Sequence, residues 1–314
     1  MNTVAKDPRS QSLELGLGFA PELELEPEPE PEREPEPERE REREREPERE
    51  REAEAEAEAE VAAEAEPKPQ RAAAPGAAAG PLERRVDAIN WFGVEEELNG
   101  YGCAMLRNLL SAQECDALTA LYPHETLYRS RVVMARHGFG RGEYKYFAYP
   151  LPPLIAELRT KLYPRLAPVA NRWNEVMNID VRYPATHGEF IARCHAAGQL
   201  RPTPLILQYA TDDYNCLHQD LYGEHVFPLQ VAILLSEPGE DFTGGEFVMT
   251  EQRPRMQSRT EVVPLRKGDA VVFAVHHRPV QGTRGVYRVN LRHGVSRLRS
   301  GHRHTLGVIF HDAS

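Results

Sequence analysis

Leu205-Ile206-Leu207-Gln208-Tyr209 and Leu229-Gln230-Val231-Ala232-Ile233-Leu234-Leu235 are two short apolar runs, and between them stands His218-Gln219-Asp220. The texture they set continues to the end of the chain. Glu246–Met249, Val262–Leu265, Ala270–Val275, Val286–Leu291 and Leu306–Phe310 follow, most of them separated by Gly, Pro or Asp clusters. Many short strands with turn signals between them predict an all-β sandwich or barrel from residue 205 onward.

Upstream of Leu205 the pattern is different. Tyr101–Leu106 reads as a short strand. Ser111-Ala112-Gln113-Glu114 is a capping-box signature with Ser111 as N-cap, and Leu118 and Leu121 continue the apolar side of the helix it starts. Arg136–Tyr149, rich in Gly, Tyr and Arg, predicts loop and edge strand. Leu154 to about Met177 predicts a mostly helical stretch interrupted at Pro164 and Pro168. Helices first and strands after predict an α+β, mainly β, fold with helices packed against a β core. Trp91 and Trp173 are expected to serve packing.

Farther out, residues from about Pro21 to Ala79 are low complexity: Glu-Pro repeats, Arg-Glu alternation, Glu-Ala pairs, then Ala, Pro and Gly. Such a segment cannot bury enough apolar area to offset its ordering entropy, so residues 1–81 are expected to form a disordered acidic tail. The formal charge of −11 is a property of that tail. Residues 1–81 hold 11 Lys and Arg against 24 Asp and Glu, and residues 82–314 hold 27 against 25. The expected division is therefore 1–81 tail, 82–204 helices and edge strands, and 205–314 β core.

The four cysteines (Cys103, Cys115, Cys194, Cys216) show no CxxC or finger spacing and read as small buried hydrophobes, with Cys216 close to the candidate chemistry. Met1 to Ser12 contains no apolar stretch, and no run is long enough to span a bilayer. A reducing cytoplasmic setting with no membrane partner is expected, and the sequence is silent on oligomeric state.

The chemistry centres on His218-Gln219-Asp220. On an extended chain, residues two apart point to the same side, so His218 and Asp220 can chelate one ion. A third ligand must come from elsewhere, and a face of two histidines and one carboxylate with open positions is the signature of non-haem Fe(II) oxygenases. His276, His277 and His293 are the candidates. Ten residues after His293 comes Arg303, and Thr305 lies two beyond it on the same strand face. An arginine so placed can grip a dicarboxylate with a bidentate fork, and a hydroxyl beside it can donate to the same carboxylate.

The run Leu207–Phe310 resembles the iron(II)/2-oxoglutarate-dependent oxygenase superfamily, most closely its prolyl-4-hydroxylase-like branch. The residues that carry the likeness are Tyr209, His218-x-Asp220, Gly244-Gly245-Glu246 opening a strand, Lys267-Gly268-Asp269-Ala270-Val271-Val272-Phe273, His293 and Arg303. Gly100–Leu121 is similar to the N-terminal edge of that domain, so the likeness covers most of residues 95–312. Phe139–Phe147 and Leu291-Arg292-His293-Gly294-Val295 resemble, more narrowly, an uncharacterised bacterial family of such oxygenases suspected of acting on nucleic acids.

The resemblance implies a double-stranded β-helix (jelly-roll) core. It implies His218, Asp220 and His293 as iron ligands, and Arg303, Thr305 and Tyr209 as holders of the distal carboxylate of 2-oxoglutarate. Fe(2+), 2-oxoglutarate and dioxygen would be the cofactor and cosubstrates. Three features depart from the pattern. About fifteen extra residues, His276 to Asn290, precede His293 and make His276 and His277 rivals for the third ligand; neither has an Arg ten residues on, which favours His293. The AlkB-type base demethylases carry Asn two residues before the tyrosine and a second Arg six past the first, where this chain has Leu207 and Ile309.

The expected activity is hydroxylation or oxidative demethylation of a nucleic-acid base. The alternatives are a protein side chain, prolyl or other, and a small molecule. Arg278, Arg284, Arg288, Arg292, Arg297 and Arg299 crowd the region of His293 and read as a phosphate-tracking rim, with Tyr287 as a stacking face. Phe139–Phe147 is the candidate lid. From other classes come a catalytically inactive β-barrel binding module, and an interaction protein that works through its acidic tail.

Overall fold

The structure is a computed structural model that describes residues 81–221, 223–283 and 285–314. The expected disordered tail lies, except for Pro81, outside the described residues. The helices all precede residue 205: α1 (Leu82–Asp87), α2 (Trp91–Tyr101), α3 (Ala112–Thr119), α4 (Pro153–Val176) and α5 (His187–Ala196). Each start has a local cause. Asn90 Oδ1 accepts from the backbone N–H of Gly93 at α2, and both halves of the capping box form at α3, between Ser111 and Glu114. Thr186 and Glu189 make a second capping box at α5. Helix α2 ends at Gly102, whose φ of 82° is the left-handed cap that turns the chain directly into β1 (Cys103–Leu106).

Helix α4 corrects one expectation: it runs unbroken through Pro164 and Pro168. Both prolines lie on its exposed side, whereas Leu158, Leu162, Tyr163, Leu166, Ala170 and Trp173 are buried on the other. The carbonyls that lose their helical donors face solvent, and burial of the opposite stripe holds the helix together. Trp91 and Trp173 serve packing, and their indole N–H groups donate to Val86 O and Asn99 Oδ1.

Two antiparallel sheets make the core. The larger has the order β1-β11-β7-β15-β5-β4-β2, and the smaller β10-β9-β13-β6-β3 with β12 against β13. The strands are β2 (Tyr128–Val133), β3 (Gly140–Arg141), β4 (Glu143–Phe147), β5 (Leu205–Tyr209), β6 (Tyr214–His218), β7 (Leu229–Leu234), β8 (Phe242–Gly244), β9 (Phe247–Gln252), β10 (Arg259–Val263), β11 (Ala270–Ala274), β12 (His277–Gly282), β13 (Gly285–Val295), β14 (Leu298–Gly301) and β15 (Arg303–Val308); β8 and β14 pair separately. The sheets lie face to face as a jelly roll. Phe247 of β9 meets Phe273 of β11 across the gap, ring centroids 5.1 Å apart. All residues of β7 and β11 are buried, which is why these strands read as unbroken apolar runs.

Strands from both sides of residue 205 share the sheets. The stretch expected to be a lid is divided between them: β3 pairs with β6, and β4 lies between β5 and β2. The extra residues before His293 form a hairpin, β12 against the first half of β13, while the second half of β13 stays in the smaller sheet.

Arg278 is not part of a basic rim. It is 1% exposed, pairs with Glu251, and donates to Asn99 O and Gly100 O at the C-terminal end of α2. Burial on a β12 position, with an acid on β9 opposite, turns the charge inward.

Candidate metal centre

His218 closes β6, and His293 sits opposite it on β13 as its Cα partner. The two strands approach unusually closely here. A Cβ on Gly294 would stand 2.6 Å from Asn215 O, so only glycine fits, and the register shifts between His293 and Val295. The imidazole centroids lie 4.3 Å apart. Asp220, two residues past His218, faces both: His218 Nε2 is 3.4 Å from Oδ1, and His293 Nε2 is 3.5 Å from Oδ2. One ligand atom from each residue falls within 4.8 Å of the others. Atoms each about 2.1 Å from one small ion stand roughly 3–4 Å apart, which the two histidine–carboxylate distances match.

The surroundings orient this set. His218 Nδ1 donates to Cys216 O at 2.8 Å, which leaves Nε2 with its lone pair toward the cluster. His293 is buried, faces Asp220 through Nε2, and is packed between aromatic rings. Phe273 is 4.5 Å from it and Phe247 stacks at 20°, while its Nδ1 has no partner among the described residues. Burial disfavours the charge on Asp220, but hydrogen bonds and charge from the two imidazoles hold its carboxyl far below the usual range. Burial and His218 lower the pKa of His293; burial also opposes protonation of His218, but Asp220 raises its pKa overall. Cys216 is exposed and lines the same cavity, whereas the other three cysteines are buried.

The cluster opens into a cavity of about 350 Å³ between the sheets. Arg303 of β15, 1% exposed, lines the same cavity. It donates from Nη1 to Thr305 Oγ1 at 2.6 Å, its Nε has no partner, and among the described residues it makes no ion pair. Burial pushes its pKa down to about 10 from 12.5, so the guanidinium stays charged at neutral pH. Tyr209, the Cα partner of Arg303, presents a fully buried hydroxyl that makes no hydrogen bond among the described residues. An unpaired buried cation with two adjacent hydroxyls is a place for a carboxylate, and the two-histidine, one-carboxylate set suits a divalent iron. The donor chemistry fits both groups.

Residues 142–313 match a family of oxygenases described as catalysing oxidative methylation of damaged DNA. The chain belongs to this family. It is a 2-oxoglutarate- and Fe(II)-dependent oxygenase, with dioxygen as the other cosubstrate. This oxygenase is 49% identical over 168 residues to an uncharacterized protein of Mycobacterium tuberculosis, found in strains H37Rv and CDC 1551 / Oshkosh. The match covers 54% of this chain and 72% of that protein. Among solved structures, it is similar to a Pseudomonas putida prolyl-4-hydroxylase (14% identity, TM-score 0.44, 71% of this chain and 99% of that one). It is also similar to a 2OG-Fe(II) oxygenase family oxidoreductase from Burkholderia pseudomallei (17%, TM-score 0.42, 72% and 94%).

All six residues singled out from the sequence border one cavity of the oxygenase. His276 and His277 lie outside the cluster at the start of the hairpin, their rings tilted by 35° with centroids 3.4 Å apart. Of the expected arginine rim, Arg278 is turned inward, while Arg288, Arg292, Arg297 and Arg299 are exposed. Arg278 is buried, Arg288 donates to Met177 O, and Arg297 pairs with Asp212; Arg284 lies outside the described residues. Arg292 and Arg299 are exposed without an ion pair among the described residues. Tyr144 and Tyr146, from the stretch expected to be a lid, line the cavity, as does Gln230, to which the sequence reading gave no role. Gln230 did leave a signal, a single amide inside an otherwise apolar strand.

Proposed function

We propose that this oxygenase oxidises a methylated or otherwise damaged base of a nucleic acid. In this reading His218, Asp220 and His293 hold the iron, and Arg303, Thr305 and Tyr209 hold 2-oxoglutarate. Arg303 carries the reading of the site: a guanidinium buried between two sheets, making no ion pair among the described residues, asks for an anionic ligand in the cavity that the cluster borders. For the substrate, the support is the family's description and the character of the cavity mouth. Phe139 and Leu217 are exposed there, and His137 stacks under Phe139 with ring centroids 5.3 Å apart. A flat, half-exposed ring pair is a surface on which a base taken out of its stack can rest.

Iron with 2-oxoglutarate and dioxygen supplies the oxidising power, releasing succinate and CO₂ as one oxygen atom goes to the substrate. The chain's own groups do the rest. Arg303 and Thr305 would neutralise and hold the distal carboxylate of the cosubstrate in the cavity that His218, Asp220 and His293 also line. Asp220, held ionised by its two neighbours, balances charge at the ion. Phe247 and Phe273 wall off His293 from water.

Succinate release from 2-oxoglutarate, with Fe(II) added, tests this. Single-stranded DNA or RNA carrying methylated bases is expected to stimulate turnover, proline-bearing peptides are not, and His218→Ala abolishes it. Stimulation by peptides and by no nucleic acid overturns the substrate reading; undiminished turnover in His218→Ala overturns the site.

A further inference from the structure

The β7 residue Gln230 is 4% exposed, lines the cavity, and has an Nε2 amide with no hydrogen-bond partner among the described residues. A buried donor left unmade costs about 1–3 kcal/mol, so an amide kept in the middle of an apolar strand without a partner calls for an explanation. Every other residue of β7 is aliphatic, and all are buried. A leucine would continue the pattern.

The register shows where this amide stands. On β7, Leu234 is the Cα partner of Thr305, which bonds Arg303. Gln230 lies four residues farther along the same strand, on the same face, which is about 13 Å at the rise of a β-strand. The carbon chain of 2-oxoglutarate, anchored at Arg303, reaches roughly 6 Å at about 1.5 Å per bond. Gln230 is therefore beyond the cosubstrate. Its neighbour across the ladder is Phe273, whose ring touches that of His293. The amide thus lines the cavity near the Phe273–His293 contact, away from the Thr305 end of β7.

We propose that Gln230 is a substrate-contacting residue that donates from Nε2 to a neutral acceptor, a ring nitrogen or carbonyl oxygen on the edge of the bound base. This rests on the nucleic-acid reading above and adds the group that reads the base. An uncharged donor suits a base edge better than a phosphate or carboxylate, for which this cavity uses an arginine.

The test compares wild type, Gln230→Leu and Gln230→Glu, using a methylated single-stranded oligonucleotide and three readouts. In both variants the KM for the oligonucleotide is expected to rise roughly ten-fold, the value of one hydrogen bond. The KM for 2-oxoglutarate, and succinate formed without the oligonucleotide, stay at wild-type levels. The Tm of Gln230→Leu equals or exceeds that of wild type, because a donor without a protein partner is removed; a glutamine serving only the fold would lower it. Wild-type stimulation with an unchanged oligonucleotide KM in Gln230→Leu overturns this inference alone, as does a raised KM for 2-oxoglutarate. No stimulation of the wild type by any methylated oligonucleotide overturns the nucleic-acid reading, and this inference with it.

Discussion

A charged side chain buried between two sheets needs a close opposite charge, and Arg303 makes no ion pair among the described residues. Among the described residues its side chain hydrogen-bonds to the Thr305 hydroxyl. If the missing partner is the far carboxylate of 2-oxoglutarate, Arg303→Met should raise the KM for 2-oxoglutarate 10- to 100-fold, the usual range for a hydrogen bond to a charged group. Its Tm without cosubstrate should not fall, since an uncompensated charge is removed. A steady-state titration and a thermal melt of the same variant check both. Arg303 could be read from the sequence because its meaning lies in spacing, ten residues after His293. Gln230 could not, because one amide in an apolar run gives no sign of whether a neighbour satisfies it. Arg278 misled for a similar reason: composition counts an arginine but does not say that Glu251 waits opposite it.

At the scale of elements, the Glu251–Arg278 pair ties β9 and β12 to the end of α2. Both side chains are almost fully buried, at 3% and 2%. Removing one partner of a buried pair strands the other charge, so Glu251→Gln should lower stability by about 3–5 kcal/mol, measured by chemical denaturation. Glu251→Gln and Arg278→Met combined should recover much of that loss. The strands of the core were legible because each is a short apolar run between turn residues. Strand β2 was not, since Tyr128–Val133 is polar and only half buried at a sheet edge. Helix α4 was legible in extent but not in continuity. Two prolines spaced four apart read as breaks, and only the three-dimensional placement shows that both fall on the solvent side.

Across the whole molecule, several imidazoles are buried in their neutral form. Burial pushes His187, His304 and His311 down to about 4 from 6.5, with nearby Arg159 adding to the effect at His187 and His311. The unfolded chain therefore binds more protons than the folded one between those values. Stability from these groups is complete above pH 6.5, falls as pH drops toward 4, and levels off below. The Tm, followed with a chelator present, should decline over that window; a Tm that rises on acidification from pH 6.5 contradicts it. The net charge of the whole chain was a poor guide, because the acidic residues cluster in 1–81. A chain beginning at residue 82 should keep wild-type turnover of 2-oxoglutarate, and loss of succinate formation on that truncation would show that the acidic segment serves the site.

The meeting of His218, Asp220 and His293 on one ion is the claim on which the rest depends, and an anaerobic Fe(II) titration tests it most directly. Wild type is expected to bind one Fe(II) per chain, and Asp220→Ala to bind none at the same concentrations while keeping its fold. Equal Fe(II) binding by the two proteins would contradict the account.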